Sequence, residues 1–205
     1  MKRRKTFGAV FCAAALTLSL SVPALAYSDV TERAWYYSAV QAVTQKGLMT
    51  GVSADRFAPG DTVTRATVIT VLWRLEGSPA AADTVPFADL PEKNWAYAAA
   101  AWAREAGIAT GYSGGKFGPT DSVTREQLAT FLYRYDVYKG KQIAQGITDL
   151  YDDAIYISPW ALQSVKHALG SGLMTGTSKG LSPLGLATRA ELAAILVRLT
   201  TTVQG

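Results

Sequence analysis

One pattern is repeated three times along this chain, and it limits the possible folds more than any other feature of the sequence. Asp29, Asp89 and Asp149 each precede a Val or Leu, at intervals of 60 residues. Trp35, Trp95 and Trp160 follow, and in each unit a Gly (Gly47, Gly107, Gly172) lies 12 residues beyond the Trp. The segments Gly47-Leu-Met-Thr-Gly51, Gly107-Ile-Ala-Thr-Gly111 and Gly172-Leu-Met-Thr-Gly176 come next, then Phe57-Ala-Pro59, Phe117-Gly-Pro119 and Leu181-Ser-Pro183. Thr64-Arg65, Thr124-Arg125 and Thr188-Arg189 complete the units, with Arg74, Arg134 and Arg198 nine residues after those arginines. A period of this length signals an array of one supersecondary unit.

Each unit reads as helix, loop, helix. Val40 and Val43 lie on one helical face after Trp35, as do Ala100 and Ala103, and Val165 and Ala168. The Gly ending each stretch suits the left-handed residue that closes a helix. Thr64, Thr124 and Thr188 read as N-caps of a second helix, and Gln127 and Glu191 complete a capping box in units two and three. Thr67 stands there in unit one and loses the reciprocal bond. The second apolar face is Val68, Val71, Leu72 and Leu75, matched by Leu128, Phe131, Leu132, Tyr135 and by Leu192, Ile195, Leu196, Leu199. No helix pair buries these faces alone, so an all-α module of three helix-loop-helix units around a shared core is expected. The boundaries read as 27–77, 87–135 and 147–200 for the repeats, 78–86 and 136–146 for linkers, and 201–205 for a tail. An insertion near Tyr151 to Ile157 is inferred in unit three.

Residues 1–26 read differently. Lys2, Arg3, Arg4 and Lys5 precede an uncharged apolar run from Phe7 to Leu20, and Ala24-Leu25-Ala26 offers small residues for cleavage. That is a secretory signal peptide, too short and wrongly flanked for a membrane span. Four of the 20 bases and none of the 16 acids lie there, so the mature chain carries 16 of each. The pI of 9.2 belongs to the precursor, and a nucleic-acid surface is not supported. Cys12, the single cysteine, leaves with the signal, which excludes disulfides, thiolate metal sites and cysteine nucleophiles from the mature protein.

The thrice-repeated motif, above all Thr188-Arg189-Ala190-Glu191, resembles the S-layer homology family over Ser28 to about Thr200. The resemblance implies three repeats arranged about a pseudo-threefold axis, with grooves between neighbours. It implies non-covalent binding of secondary cell-wall polysaccharide, often pyruvylated, through the Arg of the Thr-Arg motif with nearby Asp, Trp and Gly. Units one and two depart from the motif as Thr-Arg-Ala-Thr and Thr-Arg-Glu-Gln.

The residues themselves point the same way. Arg65, Arg125 and Arg189 each follow an N-cap, where a cation opposes the helix dipole, so they serve something besides their own helices. A guanidinium beside free helix N–H groups is a receptor for a carboxylate. The alternative is that each Arg pairs with Asp29, Asp89 or Asp149 of a neighbour and locks the repeats. Trp35, Trp95 and Trp160 either stack on sugars or plug gaps between units. Asp29, Asp89 and Asp149 read first as caps and second as ligand contacts; Gly51, Gly111 and Gly176 read as tight turns or as bare backbone for a ligand. His167, unique and unmatched in the other units, reads as a partly exposed helix residue, and Asp152-Asp153 lack a calcium loop.

No enzyme and no cofactor is expected. Two roles remain, a wall-polysaccharide binder at the bacterial cell surface and an adaptor whose repeats pair with other envelope proteins. Among the sites, the shorter loop from Gly176 to Thr188 and Leu181 in place of Phe predict the smallest contribution from Arg189.

Overall fold

The computed structural model describes residues 27–81, 87–177 and 180–201; the segment expected to be a signal peptide, most of the expected first linker, residues 178–179 and the last four residues lie outside it. Six α-helices appear in the expected order: α1 (Tyr37–Gln45), α2 (Arg65–Leu75), α3 (Tyr97–Glu105), α4 (Arg125–Tyr138), α5 (Leu162–Gly170) and α6 (Arg189–Thr201). Among the described residues the only β pairing is isolated bridges. Helix α4 runs three residues past Tyr135, so the segment expected to link units two and three begins inside a helix.

The helix ends follow from local chemistry. The Thr64 hydroxyl accepts from the Thr67 N–H at 3.2 Å, without a reciprocal bond, whereas Thr124 and Gln127 form a full capping box. Glu191 closes the third box, its carboxylate accepting from the Thr188 N–H at 2.8 Å. Gly47, Gly107 and Gly172 follow the first helices at φ near +70°, the left-handed conformation that costs glycine least.

Packing runs between units rather than within them. Helix α3 lies on α2, α5 on α4, and α1 on α6, so each first helix rests on the second helix of the preceding unit and the last contact closes a ring. Val40, Val43, Ala100, Ala103, Val165 and Ala168 are all buried, and so are the second-helix residues of the predicted faces apart from half-buried Leu75. The apolar band is wider than the sequence pattern showed, because Ile69, Ala129 and Ala193 are also fully buried. The second helices surround the axis, where neighbours on both flanks remove water.

At that axis three backbone hydrogen bonds form a cycle. Val63 N–H donates to the Ala187 carbonyl, Ala187 to Val123, and Val123 to Val63, at 2.9, 2.9 and 3.0 Å. One residue pair further, the first amides of each second helix are taken by the next loop: Arg65 N–H by Asp121 O and Ala66 N–H by Pro119 O, with Arg125 and Glu126 matched by Gly185 and Pro183, and Arg189 and Ala190 by Asp61 and Pro59. The helix N-termini expected to be open to an anion are therefore capped by protein. Those helix amides are not available to an anion.

The repeat phase in unit three also needs correction. Asp29 accepts from the N–H groups of Phe57 and Ala58 at 2.9 and 2.7 Å, and Asp89 from those of Phe117 and Gly118 at 2.7 and 2.8 Å. Asp153, not Asp149, does this in unit three, bonding Leu181 and Ser182 at 2.9 and 2.7 Å. Asp149 is exposed, with a 3.2 Å bond from the Thr148 hydroxyl. Tyr151 thus matches Tyr27 and Phe87. The extra length lies mostly before Tyr151, and Asp153 precedes Trp160 by seven residues rather than six. The Asp152–Tyr156 segment is a 3-10 turn. Glu126, a departure from the motif in unit two, holds the added residue in place: its carboxylate accepts from the Ser158 N–H and hydroxyl at 2.9 and 2.8 Å.

His167 is 1 % exposed rather than partly exposed. Its Nδ1 accepts from the Ala144 N–H at 3.1 Å, so Nε2 carries the proton and donates to Asp136 at 3.0 Å. Lys141 pairs with the other Asp136 oxygen at 2.9 Å. The residue is the pin that fastens the second connector to α5.

Candidate functional site

Because the helix pairs form across units, each groove between units draws on all three. The first holds Arg65 from unit one, Gly111, Gln127 and Arg134 from unit two, and Trp160 from unit three. The second holds Arg125 from unit two, Gly176, Glu191 and Arg198 from unit three, and Trp35 from unit one. The third holds Arg189 from unit three, Gly51, Thr67 and Arg74 from unit one, and Trp95 from unit two. Their volumes are alike, 220, 210 and 190 Å³ in that order.

Each Thr-Arg arginine leans across the unit boundary onto the next loop. Nε of Arg65 donates to the Phe117 carbonyl at 2.8 Å, that of Arg125 to Leu181 at 2.7 Å, and that of Arg189 to Phe57 at 2.8 Å. These bonds lock the units through backbone carbonyls. Direct ion pairs with the repeat aspartates, the alternative raised by the sequence, do not form among the described residues. The aspartates act one step behind, tying down the same loop from beneath. Burial opposes their ionisation, yet the paired N–H donors outweigh it and hold Asp29, Asp89 and Asp153 below the usual carboxylate range.

The three arginines are not in equal states. Arg65 lies over the rings of Tyr112, Phe117 and Phe131 at 4.5, 5.0 and 5.3 Å, and Arg189 over Phe57 at 4.6 Å. Burial pushes both guanidinium groups below their ordinary pKa, without approaching neutrality. Among the described residues no carboxylate lies within ion-pair distance of either. Arg125 has Leu181 in place of the aromatic; its Nη2 donates to the Thr175 carbonyl at 3.1 Å, as that of Arg189 does to Thr50 at 2.7 Å, and its Nη1 alone among the three is paired with a carboxylate, that of Glu191. The short loop and Leu181 of unit three therefore bear on Arg125, not on Arg189.

Trp35, Trp95 and Trp160 are 66, 63 and 58 % exposed, so they rim the grooves and do not plug gaps. Gly51, Gly111 and Gly176 line the grooves, but a close packing contact explains their lack of a side chain. A Cβ on Gly111 would stand 2.6 Å from Phe87, and one on Gly176 2.3 Å from Tyr151. The sequence reading missed these aromatics (Tyr27, Phe87, Tyr151); their signal was an aromatic two residues before each loop-binding Asp. It also assigned no role to Arg74, Arg134 and Arg198, which supply a second cation to each groove.

Among the described residues no group of His, Cys, Asp and Glu is placed to hold a metal ion, and no helix is long and apolar enough to cross a membrane. Three regions, 26–69, 86–129 and 150–193, match the S-layer homology domain family. The third begins three residues before Asp153, as the first two begin three before Asp29 and Asp89, which agrees with the corrected phase. Similar proteins include an endoglucanase of Bacillus sp. (strain KSM-635), 34 % identical over 86 % of this chain and 19 % of its own length. The surface-layer 125 kDa protein of Lysinibacillus sphaericus is 28 % identical over 96 % of the chain and 17 % of its own length. The cellulosome-anchoring protein of Acetivibrio thermocellus is 29 % identical over 72 % and 34 %. This chain thus spans about a third or less of each relative's length. With three matches in tandem covering most of the described chain, the protein belongs to the S-layer homology domain family.

Proposed function

We propose that the protein binds anionic, pyruvylated secondary cell-wall polysaccharide non-covalently at the bacterial cell surface, and that it does so without catalysis. The observation that carries this reading is the threefold recurrence of one groove: a buried or half-buried, aromatic- or carbonyl-backed guanidinium, a second arginine and an exposed tryptophan, each from a defined unit. A ketal carboxylate suits the planar donor edge of arginine, and an indole beside it offers a flat apolar face to the sugar ring. The names of relatives, a surface-layer protein and a cellulosome-anchoring protein, agree with a role at the cell surface.

The matched region of the endoglucanase is under a fifth of that enzyme, so its activity is not carried over. The repeats are the binding part of this chain and other envelope proteins are secondary partners. Sedimentation with purified cell walls, before and after chemical removal of their pyruvate groups, tests the reading. Retention on native walls and release from depyruvylated ones is the expected result. Equal retention on both refutes the anion site and favours an adaptor that binds envelope proteins.

A further inference from the structure

The position three residues into each second-helix cap is Thr67, Gln127 or Glu191, and each faces the groove formed with the preceding unit's arginine. Two of these are neutral. The third is a carboxylate that reaches the guanidinium: Glu191 Oε1 bonds Arg125 Nη1, while Oε2 accepts from the Thr188 N–H at 2.8 Å and its hydroxyl at 3.1 Å. Glu191 thus presents to Arg125 the chemical group that an acidic sugar would present to Arg65 or Arg189. Nε and Nη2 of Arg125 rest on backbone carbonyls just as those of Arg189 do, so Glu191 on Nη1 is what sets the Arg125 groove apart; a carboxylate aimed at that edge must displace Glu191, which also holds the reciprocal half of the α6 capping box. The lining charge follows suit: two arginines and no acid around Arg65 and around Arg189, but one acid among the two arginines around Arg125.

We propose that Glu191 is a specificity-determining residue that acts as a built-in occupant of the Arg125 groove, so that the protein has two grooves for acidic saccharide and a third that rejects it. The inference rests on reading the grooves as anion sites, and it reverses the order expected from loop length, moving the weakest position from Arg189 to Arg125. Like-charge repulsion and a pre-formed, helix-anchored ion pair both act against an incoming carboxylate. Substitution by Gln removes the charge and keeps the capping acceptor; Gln127 already fills that role in unit two, its Oε1 accepting from the Thr124 N–H at 3.0 Å. The fold should therefore survive the change.

The test is titration of a pyruvate-ketal monosaccharide into the mature chain, followed through the Nε–H resonances of Arg65, Arg125 and Arg189, each assigned by its Arg→Lys variant. The same sugar without the ketal is the control. In the native protein Arg65 and Arg189 should shift with ligand while Arg125 stays fixed. In Glu191→Gln, Arg125 should shift as well, raising the bound ratio from two to three. A native Arg125 that shifts at the same concentration as the others overturns the proposal alone, and so does an Arg125 that stays silent in Glu191→Gln while the other two respond. If no arginine responds in either protein, the anion-groove reading falls and the proposal falls with it.

Discussion

Replacing Asp153 by Ala should destabilise the protein far more than replacing Asp149, although the sequence period singles out Asp149. Asp153 makes two charge-assisted bonds to adjacent backbone N–H groups, those of Leu181 and Ser182. Such bonds are worth about 1.5–3 kcal/mol each when a partner is removed. Water reaches part of the site, and a loss of about 2–4 kcal/mol for the pair is the reasoned value. Ser182 offsets part of it, because its φ of +49° is held by that carboxylate and can relax once the bond is gone, and a left-handed non-glycine residue costs about 1–2 kcal/mol to maintain. Leu181, buried beneath Arg125, loses its anchor at the same time. In a domain of this size about 2–4 °C of melting temperature accompanies each kcal/mol, so Asp153→Ala should melt roughly 5–15 °C lower. Asp149→Ala removes one long bond on an exposed residue and should stay within about 0.5 kcal/mol. Urea unfolding of both variants decides the matter through the midpoint at constant slope. Equal losses for the two, or a greater loss for Asp149→Ala, would refute the corrected repeat phase.

Acid should weaken the fold through the same three carboxylates: their folded pKa values lie below the unfolded one, so the stabilisation is complete above about pH 4 and is lost as pH falls further. Urea midpoints measured between pH 6 and pH 3 should fall, and the fall should shrink when Asp29, Asp89 and Asp153 are all Asn. Trp95→Ala should leave the melting temperature within a degree or two, since the side chain is mostly exposed, while weakening retention on pyruvylated walls several-fold; calorimetry and sedimentation report the two effects separately. His167→Ala should cost about 2–4 kcal/mol in urea unfolding, because it opens a cavity and leaves the Ala144 N–H and one oxygen of Asp136 without partners. No change in that variant would mean the connector is not pinned there.

Much of the fold was legible because it rests on local chemistry. Thr64, Thr124 and Thr188 cap helices through their own hydroxyls, and glycines at 47, 107 and 172 end helices by their own φ, so spacing alone placed all six helices to within a few residues. The period also showed that the units were incomplete alone, since neither face of a unit had a partner within it. Unit three was misread for an equally physical reason. Ile147-Thr148-Asp149-Leu150 imitates Phe87-Ala88-Asp89-Leu90 in sequence, but the bond to two loop amides is a contact over 28 residues that only the folded loop reveals.

The sequence determined that three arginines would share one environment type; the tertiary structure decided which loop each would face. Helix pairing across units moves every arginine onto its neighbour, and the linear pattern does not encode that exchange, because the apolar faces of the first helices are alike and the pattern names no partner for them. The closure puts the short loop, Leu181 and Glu191 of unit three around Arg125. It also hides the helix N–H groups under the carbonyls of the next loop and turns three tryptophans outward. A residue's kind is fixed by the chain, but the charge it meets across a boundary is fixed by packing, and that charge makes one of three similar grooves unlike the others.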